Sequence, residues 1–387
     1  MSFPPKKMRN TKSSTTIYAG LVFLAILGFL SPYEYNIAPA TAILEIIFII
    51  STILIATHRS IKLLAFPIAS AGYIAICLAI SHYFSPTHYL DFLVAYKAYI
   101  YVILLAFFVQ KETFSHTSAR NLFYILLVLF LGKYLYSKVL AFEPRMADRP
   151  GIYTENNFEV IFIVLLYYVI EPSIEKLRTT TLIGLCAVVF LSGSRSGMLA
   201  MLIVFAFINF KTINKRTSLS IIGFAFIAAL LLYVFSKRMT GGLESIDRFI
   251  FLTSFLYETR DWNITNIVFG SMPVTPLSST TCEILGYYQK LFSYSGNGAC
   301  YSVVFHSYLL RVIFDHGLAG FLFLLAFVTT ALRKSGYSTR QIACVISVIL
   351  ATSLSVSALN NIYMTLALAI ALSIKEKNYA NRKILQS

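Results

Sequence analysis

The stretch Phe305-His306-Ser307-Tyr308-Leu309-Leu310-Arg311-Val312-Ile313-Phe314-Asp315-His316-Gly317-Leu318-Ala319-Gly320 decides how this chain is read. Before it lies the longest polar segment of the sequence; from Gly317 onward the residues turn apolar. Two of only six histidines, an arginine and an aspartate crowd that border. Any chemistry the chain performs is expected to have one side of its site here.

Working outward, the apolar side dominates. Of 387 residues, 57% are hydrophobic and 13% charged, with a mean hydropathy of +0.73. Charged residues make up about a quarter of an ordinary soluble domain. The composition therefore indicates a polytopic membrane protein. About 20 apolar residues span a bilayer. On that ruler about twelve spans are expected, near 16–33, 38–57, 62–84, 89–110, 121–142, 157–172, 179–194, 196–212, 217–236, 316–332, 341–358 and 361–375. Lipid offers no partner to a free backbone N–H or C=O, so these runs must be helices. The expected fold is one all-α integral membrane domain over residues 1–387, with 236–315 as a large loop outside the membrane.

The net charge of +15 would suggest a nucleic-acid partner if it lay on one surface. It lies instead in alternate loops: Lys6, Lys7, Arg9 and Lys12; Arg59 and Lys62; Lys111 and Arg120; Lys176 and Arg178; Lys211, Lys215 and Arg216; Arg333, Lys334 and Arg340; Lys375, Lys377, Arg382 and Lys383. These are 20 of the 32 basic residues. Cytoplasmic loops carry the basic excess. Both termini are then cytoplasmic, twelve spans close the count, and no nucleic acid is expected as a partner. The first apolar run ends at Ser31-Pro32-Tyr33 without a small-residue cleavage site and reads as a retained helix.

Two outer loops are unlike connectors. One is Glu143–Asn157. The other, 236–315, is 80 residues long, and loops of that length are usually functional. An amphipathic surface helix is expected near 244–262, lying along the membrane face. Cys282 and Cys300 bracket a Gly- and Tyr-rich hairpin in this loop. An oxidising compartment permits a disulfide between them, contributing about 3 kcal/mol in the chain-entropy model; two free thiols are the other reading. Cys77, Cys186 and Cys344 lie in apolar runs and read as packing residues. No CxxC spacing exists, so no metal site is expected.

Arg195 stands in Ser192-Gly193-Ser194-Arg195-Ser196-Gly197, a polar knot at the outer turn between two spans. An arginine near the bilayer is costly and usually pairs or serves function; the plainer reading is a turn residue snorkelling to the surface. Arg145, Arg149, Arg248, Arg260 and Arg311 fall on the same side, against the topology trend. Some can pair with Glu143, Asp148, Asp247, Glu258, Asp261 or Asp315. As a set they also suit an anionic ligand, because the guanidinium fork matches phosphate oxygens. His306 is the candidate acid/base, since histidine titrates near neutral pH; an interfacial histidine bonded to backbone is the alternative. If 303–315 is helical, His306, Leu309, Leu310 and Ile313 share a face, and Arg311 with Asp315 forms an i,i+4 pair. His316 is a weaker candidate. Asp91, Lys97, Lys133 and Lys138 lie within apolar runs and need partners elsewhere in the fold.

Three of these segments together resemble the O-antigen ligase/polymerase (Wzy-type) superfamily of bacterial envelope glycosyltransferases. Arg149-Pro150-Gly151 followed by Asn156-Asn157 is similar to the family's Arg-x-Gly…Asn loop. Ser194-Arg195-Ser196-Gly197 is similar to its Ser-Arg turn, and His306-Ser307 followed by Gly317 and Gly320 resembles its His-(Asn/Ser)-x9-Gly-x-x-Gly motif. The resemblance implies a multi-span, GT-C-like fold with a large periplasmic loop, in a bacterial inner membrane. It implies metal-independent, cofactor-free glycan transfer from an undecaprenyl-pyrophosphate donor. Arg149 and Arg195, with Arg248, Arg260 and Arg311, would hold the pyrophosphate, and His306 would activate the acceptor. Those residues should then surround one outward-facing cavity. Ligases of the family often carry a further polar segment after Gly-x-x-Gly, whereas Gly320 is followed by Phe321-Leu322-Phe323-Leu324-Leu325. That departure favours a polymerase, whose acceptor is a second lipid-linked repeat unit, over a ligase acting on lipid A-core. A length-control protein would be a further partner. A multi-span transporter or flippase is the reading from another class; the lack of an internal repeat speaks against it.

Overall fold

The computed structural model describes residues 12–31, 38–56, 61, 63–84, 87–140, 151–153, 156–174, 177–210 and 247–374. The bundle helices in chain order are α1 (Lys12–Leu30), α2 (Ala40–Ala56), α3 (Ala65–Phe84), α4 (Tyr89–Leu105), α5 (His116–Leu140), α6 (Asn156–Ile170), α7 (Arg178–Leu191) and α8 (Arg195–Asn209). The long loop contributes α9 (Asp247–Glu258), α10 (Ile264–Phe269) and α11 (Ser279–Ile284), with 3-10 turns at Gly286–Leu291 and Ser302–Val304. The chain returns to the bundle through α12 (Tyr308–Lys334), α13 (Thr339–Ser353) and α14 (Ile362–Ser373). Among the described residues there is no strand, only an isolated bridge between Phe114 and Ile374.

Four helices are long and apolar enough to cross a membrane: Lys12–Leu30, Ala65–Phe84, His116–Ser137 and Tyr308–Lys334. Ala40–Ala56, Arg178–Leu191, Arg195–Asn209, Thr339–Ser353 and Ile362–Ser373 are shorter apolar helices. This all-helical architecture fits an α-helical membrane protein. Eleven of the twelve expected runs carry a helix, and the remaining one, 217–236, lies outside the described residues.

The bundle is organised around α6 and α14. Helices that are apolar all round belong in the interior. Every residue of α14 is buried, as is all of α6 apart from Asn157 and Phe158. α14 packs on α6, α6 on α5 and α8, α8 on α13, and α13 on α12. α1 pairs with α2 and α5, and α3 with α4. Ser338 opens α13 through a capping box with Gln341, and Asn361 caps α14 by accepting from the Tyr363 N–H at 2.8 Å.

Two charges of the apolar runs that lacked a partner in sequence find one across helices. Lys97 Nζ meets Glu45 Oε1 at 2.7 Å, and the Tyr101 hydroxyl donates to the same oxygen at 3.0 Å. Buried Lys133 donates to the Ser31 carbonyl. Both contacts follow from the high cost of leaving a charge unsatisfied away from water.

The structure corrects the reading of the opening stretch. Its helix begins at Tyr308, not near residue 303; Phe305 to Ser307 are non-helical and follow a 3-10 turn. His306 therefore does not share a helix face with Leu309, Leu310 and Ile313. The border itself is a break: Gly317 interrupts α12 with φ 64°. Only glycine accepts that conformation without strain. A side chain there would also meet the Val268 carbonyl oxygen at 2.2 Å.

Candidate active site

The first two motifs form one hydrogen-bonded unit. Asn156 Nδ2 donates to the Ser192 carbonyl at 2.9 Å, and Ser194 Oγ donates to Asn157 Oδ1 at 2.8 Å. Ser194 is also the N-cap of α8, accepting from the Gly197 N–H at 3.1 Å. Gly197 itself lets α8 approach α6, since a Cβ there would lie 2.3 Å from Val160 Cγ1. Arg195 follows the cap as the first helical residue and is half-buried. An anion beside it would also face the positive end of the α8 dipole.

Glu159 extends this unit towards the Arg149-Pro150-Gly151 segment. Its fully buried carboxylate accepts from the Ile152 N–H at 2.9 Å and the Tyr153 N–H at 2.7 Å, with the Tyr134 hydroxyl at 3.4 Å. The residues just after Gly151 are thus fastened to α6. Arg145 and Arg149 lie outside the described residues.

The third motif reaches the same region through the turn after α13. Ser196 Oγ and Ser355 Oγ are 2.8 Å apart. Ser307 Oγ donates to the Ser353 carbonyl at 3.2 Å, and the Tyr308 N–H to the Val356 carbonyl at 3.4 Å. The residues that follow Arg195 and His306 therefore both rest on Ser353–Val356.

The long loop builds the other wall. Phe251, Leu277, Leu285, Cys300, Val304, Phe305 and Phe314 form a core separate from that of the bundle. Cys282 and Cys300 are joined in a disulfide, with Cα atoms 5.7 Å apart. Tyr288, inside the covalent loop, meets the half-buried His306 ring at 4.5 Å, and Phe251 of α9 meets it at 5.8 Å. Arg248 is one turn before Phe251, hence on the same side of α9, and is half-buried. Asp91, at the start of α4, docks the loop on the bundle by accepting from Ser293 Oγ at 2.6 Å and the Tyr294 N–H at 3.3 Å.

Two of the candidate arginines are engaged elsewhere. Arg260 is exposed, pairs with Asp261 at 3.1 Å and stacks over Tyr257 at 4.7 Å. Arg248 and Glu258 lie ten residues apart on α9, about 15 Å along its axis, and Arg260 follows beyond the helix end. Arg311, only 3% exposed, donates to the Val94 carbonyl at 2.5 Å and lies 3.7 Å from Asp315. The i,i+4 pairing expected from sequence is present. Glu258 does not pair with an arginine in the described contacts; it accepts from Ser278 at the start of α11.

Of the expected ring of arginines, Arg260 and Arg311 are engaged elsewhere, and Arg195 and Arg248 stand on the two segments whose neighbours carry His306. A cavity of about 50 Å³ lies between α4, α12 and residues 290–303, lined by Asp91, Lys290, Tyr301, Ser302, Arg311 and Asp315 among others. Of the candidate residues only Arg311 reaches it, and its size suits water rather than a pyrophosphate. Burial, with the Asp91 carboxylate nearby, raises the Tyr301 phenol and keeps it a donor there. His316 is buried against Tyr73, Tyr96 and Tyr99, bonded to the Tyr73 hydroxyl at 2.9 Å and facing the Ala95 carbonyl at 3.2 Å. That is a packing role. Among the described residues no cluster of His, Cys, Asp or Glu could hold a metal ion.

Sequence reading missed Glu159, Tyr288 and Ser353–Val356. Glu159 had a signal, as the one charge between Asn157 and Ile170. The turn after α13 had one in its density of Ser and Asn. No family model matches this chain, and no curated protein or solved structure matches it.

Proposed function

We propose that this chain is a membrane glycosyltransferase that polymerises undecaprenyl-pyrophosphate-linked oligosaccharide repeats into a surface polysaccharide. One observation carries the reading: the segments holding Arg195 and His306, 111 residues apart in sequence, rest on the same turn at Ser353–Val356. A phosphate-recognising fork and an acid/base group on one support are what pyrophosphate-linked transfer needs. In this scheme Arg195, with Arg248 and Arg149, binds the pyrophosphate and stabilises the charge that grows on it. His306 accepts the proton of the acceptor hydroxyl. The bond between the anomeric carbon and the pyrophosphate oxygen breaks, and a bond from that carbon to the acceptor oxygen forms. The helix N-terminus at Arg195 adds to the anion's stabilisation.

Twelve spans, cytoplasmic termini and a periplasmic site belong to the same proposal, supported by the distribution of Lys and Arg. The disulfide supports an oxidising location for the loop. Helix α12 runs on through Gly320 with apolar sequence to Lys334, which favours the polymerase over the ligase. The test is the glycan ladder of a strain carrying Arg195→Ala or His306→Ala in place of the wild-type chain. Both variants reach the membrane and lose long-chain glycan; an unchanged ladder in both would overturn the proposal.

A further inference from the structure

Helix α9 is apolar on both sides. Its inner side packs Phe251, 2% exposed, into the core of the loop. Its outer side presents Phe249, Leu252, Leu256 and Tyr257, exposed at 40, 42, 56 and 43%. The spacing i, i+3, i+7, i+8 makes these one stripe along the helix. Past the turn the same character continues in Ile264 (79%), Ile267 (44%), Phe269 (64%) and Met272 (57%). Apolar surface of this extent marks a contact with protein or membrane.

Attachment to α12 identifies the occupant. The Ser271 N–H donates to the Phe314 carbonyl at 2.7 Å. Gly270 and Gly317 meet so closely that a Cβ on Gly270 would lie 2.6 Å from the His316 nitrogen. The end of α10 is therefore seated in the break of α12. Past that break α12 is the apolar limb of a helix able to cross a membrane, and Leu318 and Leu322 are already exposed there at 42 and 61%. The stripe thus stands at the level where α12 enters lipid. Arg260 stands over the ring of Tyr257 in the stripe, the aromatic and cationic pattern of a membrane–water interface.

We propose that the α9–α10 elbow is a lipid anchor. Its apolar stripe enters the acyl-chain layer of the leaflet it faces, and Arg260 stays at the level of the lipid phosphates. The anchor holds the α12 break at a fixed depth, and with it the segment that carries His306. This inference rests on the chain spanning a membrane and is independent of the glycan chemistry.

The chain has a single tryptophan, Trp262. The double substitution Trp262→Phe with Ile264→Trp moves that probe to the most exposed position of the stripe. The full chain is reconstituted in phosphatidylcholine vesicles whose acyl chains are brominated, and quenching is compared with that by aqueous iodide. Loss of fluorescence to brominated lipid, with iodide ineffective, is expected. Quenching by iodide instead places the stripe in water and overturns the proposal. Protection from both quenchers, with cross-linking between copies through Leu256→Cys, assigns the stripe to a second copy of the chain and overturns it equally. Arg195→Ala in the same background leaves the quenching unchanged, so failure of the catalytic reading and failure of the anchor are separable.

Discussion

The two walls of the candidate site are built by opposite means. The Arg195 wall is made of helix ends, fixed by short hydrogen bonds among Asn156, Asn157, Ser192, Ser194, Ser196 and Ser355. The His306 wall is a loop with its own apolar core, a disulfide and an aromatic cradle of Tyr288 and Phe251. A bundle already held by lipid and helix packing needs only small polar residues to set one side chain. A loop outside the bundle must bring its own core and covalent tie, because burial alone stabilises so short a segment poorly. The Arg195 wall should therefore tolerate changes to the loop, and the His306 wall should not tolerate loss of its tie.

The largest effect is expected at Arg195. Removing a donor that stabilises a developing charge costs about a hundredfold or more in rate. Arg195→Ala should reduce polymer by at least that factor in an in vitro transfer assay. Arg195→Lys should fail nearly as badly, since a point charge cannot reproduce the planar fork; full activity of the Lys variant would remove the bidentate argument. His306→Ala comes next, at about a hundredfold, within the usual range for a general base. It should flatten the acidic limb of the pH–rate profile, whereas Arg195→Ala leaves that limb in place.

Cys282→Ser separates the walls. Loss of the tie removes about 3 kcal/mol from the loop in the chain-entropy model. Limited proteolysis should then cut within residues 271–300, while the melting of the bundle in detergent stays where it was. A bundle that melts with the loop would show the two walls to be one unit. Ser194→Ala probes the other wall: loss of an N-cap costs about 1 kcal/mol. It should lower the melting temperature slightly and leave loop proteolysis unchanged. The smallest effect is expected at Arg260→Gln, which should not alter the glycan ladder, because Arg260 is bound up with Asp261 and Tyr257 far from Arg248.

Much of the helical layout was legible because lipid leaves the backbone few options. The apolar runs located eleven helices, and α9 at Asp247–Glu258 falls within the expected surface helix at 244–262. The disulfide was one of two readings that composition left open, and the structure forms it. The break at Gly317 was visible as a glycine but not as a joint, because its partner Gly270 is 47 residues upstream and the contact is backbone on backbone. The condition that would put His306 on a helix face, a helix over 303–315, is not met, because the chain makes a 3-10 turn at Ser302–Val304 and starts its helix at Tyr308. Arg260 and Arg311 carried the same sequence signal as Arg195. The structure engages them with Asp261, and with Asp315 and the Val94 carbonyl. Charge in a sequence reports that a group exists; long-range packing decides whether it faces a ligand.

The most direct test of the polymerase reading is the glycan ladder of a strain lacking this chain. The account predicts surface glycan that stops at a single repeat unit, with the full ladder restored by the wild-type chain. A ladder of full length without the chain would contradict it, and loss of every repeat would show a ligase instead.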